Sequence, residues 1–312
     1  MADTNPEYFD LQFNGYRGLS FKRPDELTGE ALHQLCNDLY ESGYAGFLPT
    51  VTTGPIEHME RCLRRLVELR EHDPPLRKMM VGLHIEGPFL NPEPGYRGAH
   101  RAEVMQPADP DLMAQLLDAG GGLVRLVTLA PERDPDFATV RYLADRGITV
   151  SAGHTNASLD ELRGAIDAGL GMFTHLGNGC PMQLERHDNI VQRALALRRH
   201  LWLCFIADGA HIAWPALGNY LSLAGSRAIV VSDVSSLGGM PPGEYSSGTR
   251  TTVVGEDGVP RAPDGSHLVG AGIIMDRAAA NLHRHLGLNE ARIRQLTHDN
   301  PMQAINAVQE TV

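Results

Sequence analysis

The chain has 312 residues, of which 42% are hydrophobic and 21% charged, and it carries a formal net charge of -11. This balance is typical of a globular protein with one large domain or two small ones. The negative charge argues against a general nucleic-acid-binding or anionic-membrane surface, although it leaves room for a local cationic pocket. The four cysteines (Cys36, Cys62, Cys180 and Cys204) include no CxxC pair, so neither a disulfide framework nor a zinc finger is indicated.

The beginning of the sequence, Met-Ala-Asp-Thr-Asn-Pro-Glu, is not a basic and apolar leader. No apolar run approaches the roughly 20 residues that a membrane-spanning helix needs. We therefore expect a cytoplasmic protein with reduced thiols, which binds neither membranes nor nucleic acids.

Short apolar runs alternate with longer amphipathic stretches along the chain, and these are typical of buried strands and surface helices, respectively. In chain order, the predicted strands are Tyr8–Phe13, Ala45–Pro49, Met79–Glu86, Leu123–Leu129, Thr149–Ser151, Met172–Thr174, Leu201–Ala207 and Ala228–Ser232. The predicted helices are Pro24–Gly43, Pro55–His72, one near Pro110–Ala119, Asp136–Arg146, one from a Ser158 cap to Gly169, Trp214–Ala224, Ile273–Leu286 and Glu290–Val308. A long loop runs from Pro88 to Pro107, and Thr251–Arg261 is predicted to form a hairpin around Glu256-Asp257-Gly258.

Strands that alternate with helices predict a parallel sheet. About eight such units in a chain of this length favour a closed (β/α)8 TIM barrel over an open sheet. The first strand is not followed by Gly-x-Gly-x-x-Gly, which makes a dinucleotide-binding domain a weaker alternative. We expect one catalytic barrel over residues 1–312, with a hairpin insertion near residues 247–267.

The stretch Met80–Phe89 carries a carboxylate at the end of a predicted buried strand. His84 and Glu86 interrupt its apolar run, and a Gly-Pro pair then turns the chain. Burying a carboxylate costs several kcal/mol unless a partner pairs with it or binds it. Glu86 is therefore a candidate site residue, and the alternative is a strand-edge Glu that is solvated or paired with His84.

In such barrels the chemistry takes place at the C-terminal ends of the strands. Polar residues lie at or just after several predicted strand ends, namely Gln12, Asn14, Glu86, His154, His175, His211 and Asp233. One Glu and two His form a common ligand set for a catalytic Zn²⁺ that leaves a position open for water, and Glu86, His154 and His175 supply that set. Such a metal lowers the pKa of its water toward about 7, and Asp233 is placed to take a proton and return it.

Each of these residues also has an ordinary structural explanation. A single His after a strand is usually a loop or core residue, and Asp233 alone could cap the turn that follows it. Five such residues at the ends of five different strands are harder to explain in this way. We therefore favour a metal site.

Short motifs in a fixed order along nearly the whole chain resemble those of N-acetylglucosamine-6-phosphate deacetylases, a family of the amidohydrolase superfamily. Single motifs are weak signals, whereas the ordered set is highly specific. The motifs are Asp10-Leu11-Gln12-Phe13-Asn14-Gly15, His84-Ile85-Glu86-Gly87-Pro88-Phe89, Gly98-Ala99-His100, Ala130-Pro131-Glu132, Ala152-Gly153-His154-Thr155-Asn156-Ala157, Thr174-His175-Leu176-Gly177-Asn178, Asp208-Gly209-Ala210-His211, Ser232-Asp233 and Leu268-Val269-Gly270.

The resemblance implies a role for each matching position. It implies that Glu86, His154 and His175 bind one divalent metal ion per chain, with Zn favoured and Fe, Co or Mn compatible with the same ligands. It implies that Asp233 is the catalytic acid and base. The positions that it assigns to substrate contacts are Ala99, His100, Asn178, Gly179, Arg186, His211, Leu268, Val269 and Gly270.

Three of the implied features concern the metal, the phosphate and the assembly. Many amidohydrolases carry His-x-His at the end of the first strand, whereas Gln12 and Asn14 stand here near the metal site, which indicates a single tightly held metal. The guanidinium of Arg186 suits a sugar phosphate. Without the family resemblance, an ordinary loop Arg beside Glu185 would be an equally good explanation. Members of the family are typically homodimers.

The chain departs from the family at the edge of the substrate pocket and in an accessory domain. The accessory β-sandwich of the relatives is expected to be missing. Asn178-Gly179 replaces the usual Asn-Ala, Val269 and Ala271 change the usual Leu-Ala-Gly-Ser, and Arg186 is followed by His-Asp-Asn instead of Glu-Pro-Gly. The implied metal and acid/base positions are unchanged.

The sequence therefore predicts a hydrolase that deacetylates N-acetylglucosamine 6-phosphate, with His100 or His211 stabilising the oxyanion. The first alternative is an amidohydrolase that deacylates a different N-acyl amino sugar or amino acid. The second alternative is a non-catalytic barrel that acts as a binding protein.

Overall fold

Eight parallel strands form the main sheet of this computed structural model, which describes residues 8–247 and 250–306. Each of the first seven strands pairs in parallel with the next strand of this sheet in the chain. The strands are β1 (Tyr8–Phe13), β2 (Tyr44–Thr52), β3 (Leu83–Glu86), β4 (Val124–Leu129), β5 (Thr149–Ala152), β6 (Leu170–Phe173), β7 (Trp202–Ile206) and β8 (Ala228–Val231).

The two outer strands of the sheet meet and close it into a barrel. Just past β8, the N–H of Asp233 donates to the carbonyl of Gln12 at 3.0 Å, and the N–H of Asn14 donates to the carbonyl of Val234 at 2.9 Å. These hydrogen bonds continue the parallel pairing from β8 to β1. The (β/α)8 barrel predicted from the sequence is therefore confirmed.

Helices follow most of the strands and cover the outside of the barrel. Apolar side chains of the helices pack on the outward-facing residues of the strands in one large buried cluster, which includes Leu32, Leu63, Val127 and Phe205. The helices are Gly29–Glu41, Ile56–Glu71, Pro74–Met79, Pro110–Ala119, Ala138–Ala144, Leu159–Asp167, Ile190–Ala196, Trp214–Ala224, Met275–Leu286, Glu290–Arg294 and Asn300–Asn306.

The interior of the barrel holds a second apolar cluster. Phe9 and Leu11 of β1 and Ile229 and Val231 of β8 belong to it, and in each pair the residues are two positions apart, as expected for one face of a strand. Met172 of β6 lies in the same cluster. The barrel is therefore a packed core, and Glu86, the last residue of β3, lies at its C-terminal end.

The predicted hairpin is part of a small antiparallel sheet with strands Gly243–Ser247, Arg250–Val254 and Pro260–Arg261. Gly15–Tyr16 and Leu19–Ser20 form another short antiparallel pair. Within the described residues, none of the helices has the length and apolar character that crossing a membrane requires.

The structure confirms the predicted bounds of Tyr8–Phe13, Pro110–Ala119 and Trp214–Ala224. The prediction of one strand over Met79–Glu86 is partly wrong, because a helix, Pro74–Met79, occupies its beginning. The side chain of Asp73 caps this helix, and two prolines stand at its first positions.

Other bounds differ because caps and neighbours decide them. The helix predicted from Pro24 begins only at Gly29, since the side chain of Thr28 accepts the N–H of Ala31 and caps it. Strand β2 runs beyond Pro49 to Thr52, because its last three residues pair with β3.

Further differences concern three helices. The helix Ile190–Ala196 was not predicted, and Asp136–Arg146 is helical only over Ala138–Ala144. A π-helical turn interrupts the predicted helix Glu290–Val308 at Gln295–Asp299, and residues 307–308 lie outside the described part of the chain.

Candidate active site

Three predicted site residues follow barrel strands in the same backbone conformation. His154, His175 and Asp233 each lie two residues past the end of a strand (β5, β6 and β8, respectively). Their φ angles are +50°, +34° and +50°. Left-handed conformations cost an L-residue roughly 1–2 kcal/mol and persist where the surrounding structure holds them, often at functional sites. The chain therefore turns sharply after each of these strands and brings three side chains to one end of the barrel.

Glu86, the last residue of β3, meets two of these residues in a buried cluster. Its Oε1 lies 3.1 Å from Nε2 of His175 and 3.5 Å from Nε2 of His154. The candidate ligand atoms of the three residues all lie within 4.8 Å of one another. The structure thus brings together the three residues that the sequence proposed as metal ligands.

The hydrogen bonds of His154 determine which ring nitrogen faces the cluster. Its Nδ1 lies 2.7 Å from the carbonyl oxygen of Tyr96. A carbonyl oxygen only accepts, so Nδ1 carries a proton and Nε2 is the ring nitrogen that faces Glu86. Binding one ring nitrogen to a carbonyl is the usual way of orienting a metal-binding histidine.

Two glycines leave the space that the His154 ring occupies. A Cβ added at Gly98 would lie 2.9 Å from Cε1 of the ring, and one added at Gly179 would lie 2.8 Å from Nδ1. Both glycines have positive φ. Gly179, where the family usually has alanine, therefore packs directly against a candidate ligand.

The carboxylate of Glu86 is ionised in this site. Burial alone would raise its pKa, but hydrogen bonds with His154 and His175 hold the pKa well below its usual range. The side-chain amide of Gln12 also donates to Oε1 at 3.0 Å. A buried carboxylate that faces two imidazole nitrogens is a suitable donor set for a cation.

The two distances from Glu86 to the histidines also fit a metal. Atoms bound tetrahedrally to Zn²⁺ at roughly 2.0–2.1 Å lie roughly 3.3 Å apart. The separations of 3.1 and 3.5 Å from Glu86 Oε1 to the two histidines lie on either side of this value. Nδ1 of His175 is buried without a hydrogen-bond partner within the described residues, so the protein leaves this imidazole polar group unsatisfied.

Asp233 lies beside the cluster with a perturbed acidity. Burial raises its pKa, and the attraction of His175 only partly offsets this, while the charge of Glu86 adds to the rise. Asn14 donates from Nδ2 to Oδ1 of Asp233 at 2.7 Å. A buried carboxyl group with a raised pKa is suited to general acid and base catalysis.

His211 is held by a carboxylate three residues earlier in the chain. Its Nδ1 lies 2.7 Å from Oδ2 of Asp208, whose Oδ1 accepts the backbone N–H groups of Ala210 and His211. Burial would raise the pKa of Asp208, but the hydrogen bond with His211 lowers it. The Asp208 carboxylate therefore fixes the orientation of the His211 ring.

His100 packs beside the cluster, with its ring centroid 4.4 Å from that of His154. The hydroxyl of Thr53 donates to the carbonyl of Glu86 at 3.1 Å, so its oxygen accepts the Nδ1 proton of His100 at 2.8 Å. Burial and the neighbouring His154 lower the pKa of His100 well below its usual range. His100 is therefore neutral, and its unprotonated Nε2 lies 3.8 Å from Oε2 of Glu86.

The other predicted contact residues are placed differently. Asn178 donates from both its backbone N–H and Nδ2 to the carbonyl of His175, at 2.9 and 3.2 Å. Ala99 adjoins His100. Leu268, Val269 and Gly270 lead to Ala271, whose N–H donates to the carbonyl of Asp233 at 2.9 Å.

Arg186 is apart from the buried cluster. It is exposed on the loop of residues 180–189, beside Gln183, Leu184 and His187. Within the described residues, its side chain makes no hydrogen bond or ion pair with the cluster.

Several residues at the site received no role from the sequence. Asp208 and Glu132 lie within the quoted motifs, and Asp208 stands three residues before His211, so these motifs were an available signal. Thr53 and Asn91 are single neutral residues in loops, and only the folded chain reveals their contacts with His100 and His154.

Comparison with known proteins gives one consistent family, although no protein-family model matches the chain. The chain is 28% identical over 303 residues to an N-acetylgalactosamine-6-phosphate deacetylase of Escherichia coli O157:H7, covering 95% of this chain and 76% of the relative. It is 31% identical over 252 residues to an N-acetylglucosamine-6-phosphate deacetylase of Danio rerio, covering 78% of this chain but only 61% of the relative.

Solved structures agree with these relatives. The N-acetyl-D-glucosamine-6-phosphate deacetylase of Mycobacterium smegmatis, solved as a variant with N-acetyl-D-glucosamine 6-phosphate, superposes with a TM-score of 0.86 at 27% identity, covering 97% of this chain and 77% of that one. The Pasteurella multocida N-acetylglucosamine-6-phosphate deacetylase gives a TM-score of 0.83 at 26% identity, with the same coverage of both chains. With the barrel and the cluster of Glu86, His154 and His175, these similarities establish that the chain belongs to the N-acetylglucosamine-6-phosphate deacetylase family of the amidohydrolase superfamily.

Proposed function

We propose that this protein is a metal-dependent hydrolase that removes the acetyl group from N-acetylglucosamine 6-phosphate, giving glucosamine 6-phosphate and acetate. The observation that carries the proposal is the buried cluster of Glu86, His154 and His175 beside Asp233 at the C-terminal end of the barrel. The names of the relatives support the choice of substrate.

Glu86, His154 and His175 would hold one divalent ion, and the Glu/His₂ set favours Zn, although Fe, Co and Mn accept the same ligands. Such an ion supplies Lewis-acid chemistry, because it lowers the pKa of a water molecule and polarises a carbonyl group. Gln12 keeps the Glu86 carboxylate in position through its hydrogen bond to Oε1.

Asp233 acts as the base and then as the acid. It takes a proton from the water that attacks the acetamide carbonyl and returns the proton to the leaving amine. The raised pKa of Asp233 suits both steps, since the group must accept and release a proton near neutral pH. The Asn14 amide holds the carboxylate in one orientation.

Of the two histidines near the site, His211 remains the candidate to contact the developing oxyanion, because the contacts of His100 argue against a donor role for it. Its Nδ1 is paired with the Asp208 carboxylate, so Nε2 is the ring nitrogen left to face the substrate. Nδ1 of His100 donates its proton to the hydroxyl oxygen of Thr53, and the neutral ring has only a lone pair at Nε2. His100 is therefore placed as an acceptor, for example for an N–H or O–H of the substrate.

We further propose that Arg186 binds the phosphate of the substrate. Its guanidinium is exposed on the loop after β6, where it can form paired hydrogen bonds with phosphate oxygens. Met182 on the same loop is 99% exposed, an unusual position for a large apolar side chain. We propose a homodimer in which a partner subunit covers this loop.

N-acetylgalactosamine 6-phosphate is a second candidate substrate. The Escherichia coli relative named for this sugar matches 95% of the chain at 28% identity. The two sugars differ only in the orientation of one hydroxyl group, so the proposed catalytic groups serve both.

The test is acetate release from each of the two sugar phosphates by the purified protein, with the metal content measured on the same sample. Turnover with about one metal per chain supports the proposed reaction, and the ratio of kcat/KM values identifies the preferred sugar. Bound metal without turnover on either sugar would contradict the proposed substrate and direct the search to other N-acyl compounds. If the protein shows no bound metal and no turnover, even after metal is added, the result would contradict the proposal that it is an enzyme and would favour a binding protein.

A further inference from the structure

We propose that Glu132 is a positioning residue, which holds the backbone of His154 in the conformation that the metal site needs. Glu132 lies in the turn Pro131–Arg133, just after β4. The inference rests on the proposed function, because it takes His154 as a metal ligand. It adds to the proposed site a carboxylate that contacts neither the metal nor the substrate and acts only through His154.

The carboxylate of Glu132 accepts hydrogen bonds from three neutral donors. Its Oε1 accepts the backbone N–H of Asn156 at 2.7 Å and the Nδ2 of Asn91 at 2.9 Å, and its Oε2 accepts the hydroxyl of Thr155. Thr155 and Asn156 are the two residues that directly follow His154. Glu132 thus fixes the chain on the C-terminal side of this histidine.

Asn91 fixes the same histidine from the other side. Its backbone N–H donates to the carbonyl of His154 at 3.0 Å, while its side chain is held by Glu132. Five residues after Asn91, the carbonyl of Tyr96 accepts the Nδ1 proton of His154 at 2.7 Å. Through Asn91, Glu132 therefore also anchors the loop that orients the imidazole ring.

His154 needs such support because its backbone is strained. Its φ of +50° is unfavourable for any residue other than glycine, and it persists only where the surroundings determine it. A metal ligand must also stay within about 0.2 Å of its bonding distance. If the Glu132 hydrogen bonds were lost, relaxation of the His154 peptide would move Nε2 away from Glu86 and His175.

A neighbouring carboxylate provides a matched control. Asp134 lies two residues further along and is buried. It accepts the backbone N–H groups of Thr139 and Val140 at 3.0 and 2.8 Å and so stabilises the start of the helix Ala138–Ala144. Its hydrogen bonds serve that helix and do not reach residues 153–157. Its removal therefore destabilises the same region without releasing His154.

The experiment compares Glu132→Ala, Glu132→Gln and Asp134→Ala with the natural protein. The affinity of each metal-depleted protein for Zn²⁺ is measured by competition with a chromophoric chelator, and the visible spectrum is recorded with Co²⁺. We expect Glu132→Ala to bind Zn²⁺ about 10- to 100-fold more weakly, with an altered Co²⁺ spectrum, as is usual when a group that orients a ligand is lost. The Zn²⁺ affinity of Glu132→Gln should lie between those of Glu132→Ala and the natural protein, since its remaining oxygen still accepts the N–H of Asn156. Asp134→Ala should melt at a lower temperature and keep the natural affinity.

Equal Zn²⁺ affinity and an unchanged Co²⁺ spectrum in Glu132→Ala would overturn the positioning role, even if the variant were less stable. An equal loss of affinity in Asp134→Ala would also overturn it, because the effect would then be general destabilisation. If Glu132→Ala does not fold, the comparison of Glu132→Gln with Asp134→Asn decides by the same criteria. A natural protein that binds no metal would refute the metal site, which is distinguishable from a failure of Glu132 alone.

Discussion

The side-chain amide of Asn14 donates a 2.7 Å hydrogen bond to Oδ1 of Asp233, across the seam where the first and last strands of the barrel meet. Two residues earlier, the amide of Gln12 donates at 3.0 Å to Oε1 of Glu86. One strand end therefore holds both carboxylates, the candidate base through Asn14 and the candidate metal ligand through Gln12. The two amides should have separable effects.

We expect Asn14→Ala to move the acidic limb of the kcat/KM profile to higher pH. Burial raises the pKa of Asp233, and the Asn14 hydrogen bond lowers it, so removal of this bond raises the pKa further. At a given pH less of the base is then ionised. Gln12→Ala is the control, since it should weaken metal binding without shifting this limb at saturating metal. A limb that stays in place in Asn14→Ala, or moves to lower pH, would contradict the assignment of Asp233 as the base.

Asp233→Asn should abolish most of the activity and leave the metal in place. The amide has the same size as the carboxyl group but neither takes nor returns a proton, and loss of general acid–base catalysis costs typically 10²- to 10⁴-fold. Asp233 is not one of the three residues whose ligand atoms cluster. The measurement is kcat together with metal content. Substantial activity in a metal-loaded variant would refute the role of Asp233.

The sequence predicted the barrel because each strand is a short apolar run and each long helix has an apolar face. It also predicted the three candidate ligands, since a buried strand that ends in Glu or is followed by His is unusual. It did not predict the helix Pro74–Met79, although Asp73 and two prolines form a helix-start signal there. The apolar residues after that helix extended the predicted strand backwards and concealed the signal.

The hydrogen bonds that hold the site histidines in place could not be predicted from the sequence. Asn91 and Thr53 contact His154 and His100 across separations of 63 and 47 residues, and no local pattern marks such contacts. The left-handed backbone of His154 is equally hidden, since no glycine marks the position in the sequence. Tertiary hydrogen bonds impose this conformation, and they exist only in the folded barrel.

Gly179→Ala should weaken metal binding. A Cβ at this position would lie 2.8 Å from Nδ1 of His154, and the φ of +60° is unfavourable for alanine. The ring must then move, or the loop must shift away from it. We expect a loss of Zn²⁺ affinity in a chelator competition assay.

Gly122→Ala is the control for the backbone strain of this variant. Gly122 has a φ of +77°, and a Cβ there meets no atom within 4 Å. The control should therefore lose about 1 kcal/mol of stability from the left-handed conformation and keep its metal affinity. Unchanged affinity in Gly179→Ala would show that the site tolerates the alanine found in the family.

Arg186→Ala should raise KM for the phosphorylated sugar by about 10- to 100-fold, which corresponds to the roughly 1.5–3 kcal/mol of a hydrogen bond between charged groups. The change in kcat should be small, because Arg186 lies apart from the reacting groups. The same variant should act on unphosphorylated N-acetylglucosamine as the natural protein does. Arg199→Ala, which removes another exposed arginine, is the matched control. An unchanged KM for the sugar phosphate would refute phosphate binding by Arg186.

The buried Asp10 should make the stability of the folded protein depend on pH. It is completely buried in β1, where its Oδ1 accepts the backbone N–H groups of Gln12 and Ser232 at 3.2 and 3.1 Å. Burial outweighs these hydrogen bonds and raises its pKa from 3.8 to about 7. The folded protein therefore holds this proton more tightly than the unfolded chain does. The stability that the protonated group contributes is fully present below about pH 4 and is lost as the pH rises toward 7.

Asp10→Asn should lack this loss, because the amide does not ionise and its oxygen accepts the same two N–H groups. The stability of the variant relative to the natural protein should rise from pH 5 to about 7 and then level off. A shift of roughly three pKa units sets an upper limit of about 4 kcal/mol for the full change. Urea unfolding of both metal-depleted proteins between pH 5 and 8.5 measures this difference. A difference that stays constant or falls with pH would show that Asp10 is ionised in the fold throughout this range, and that the buried carboxylate is stabilised by its hydrogen bonds at the seam.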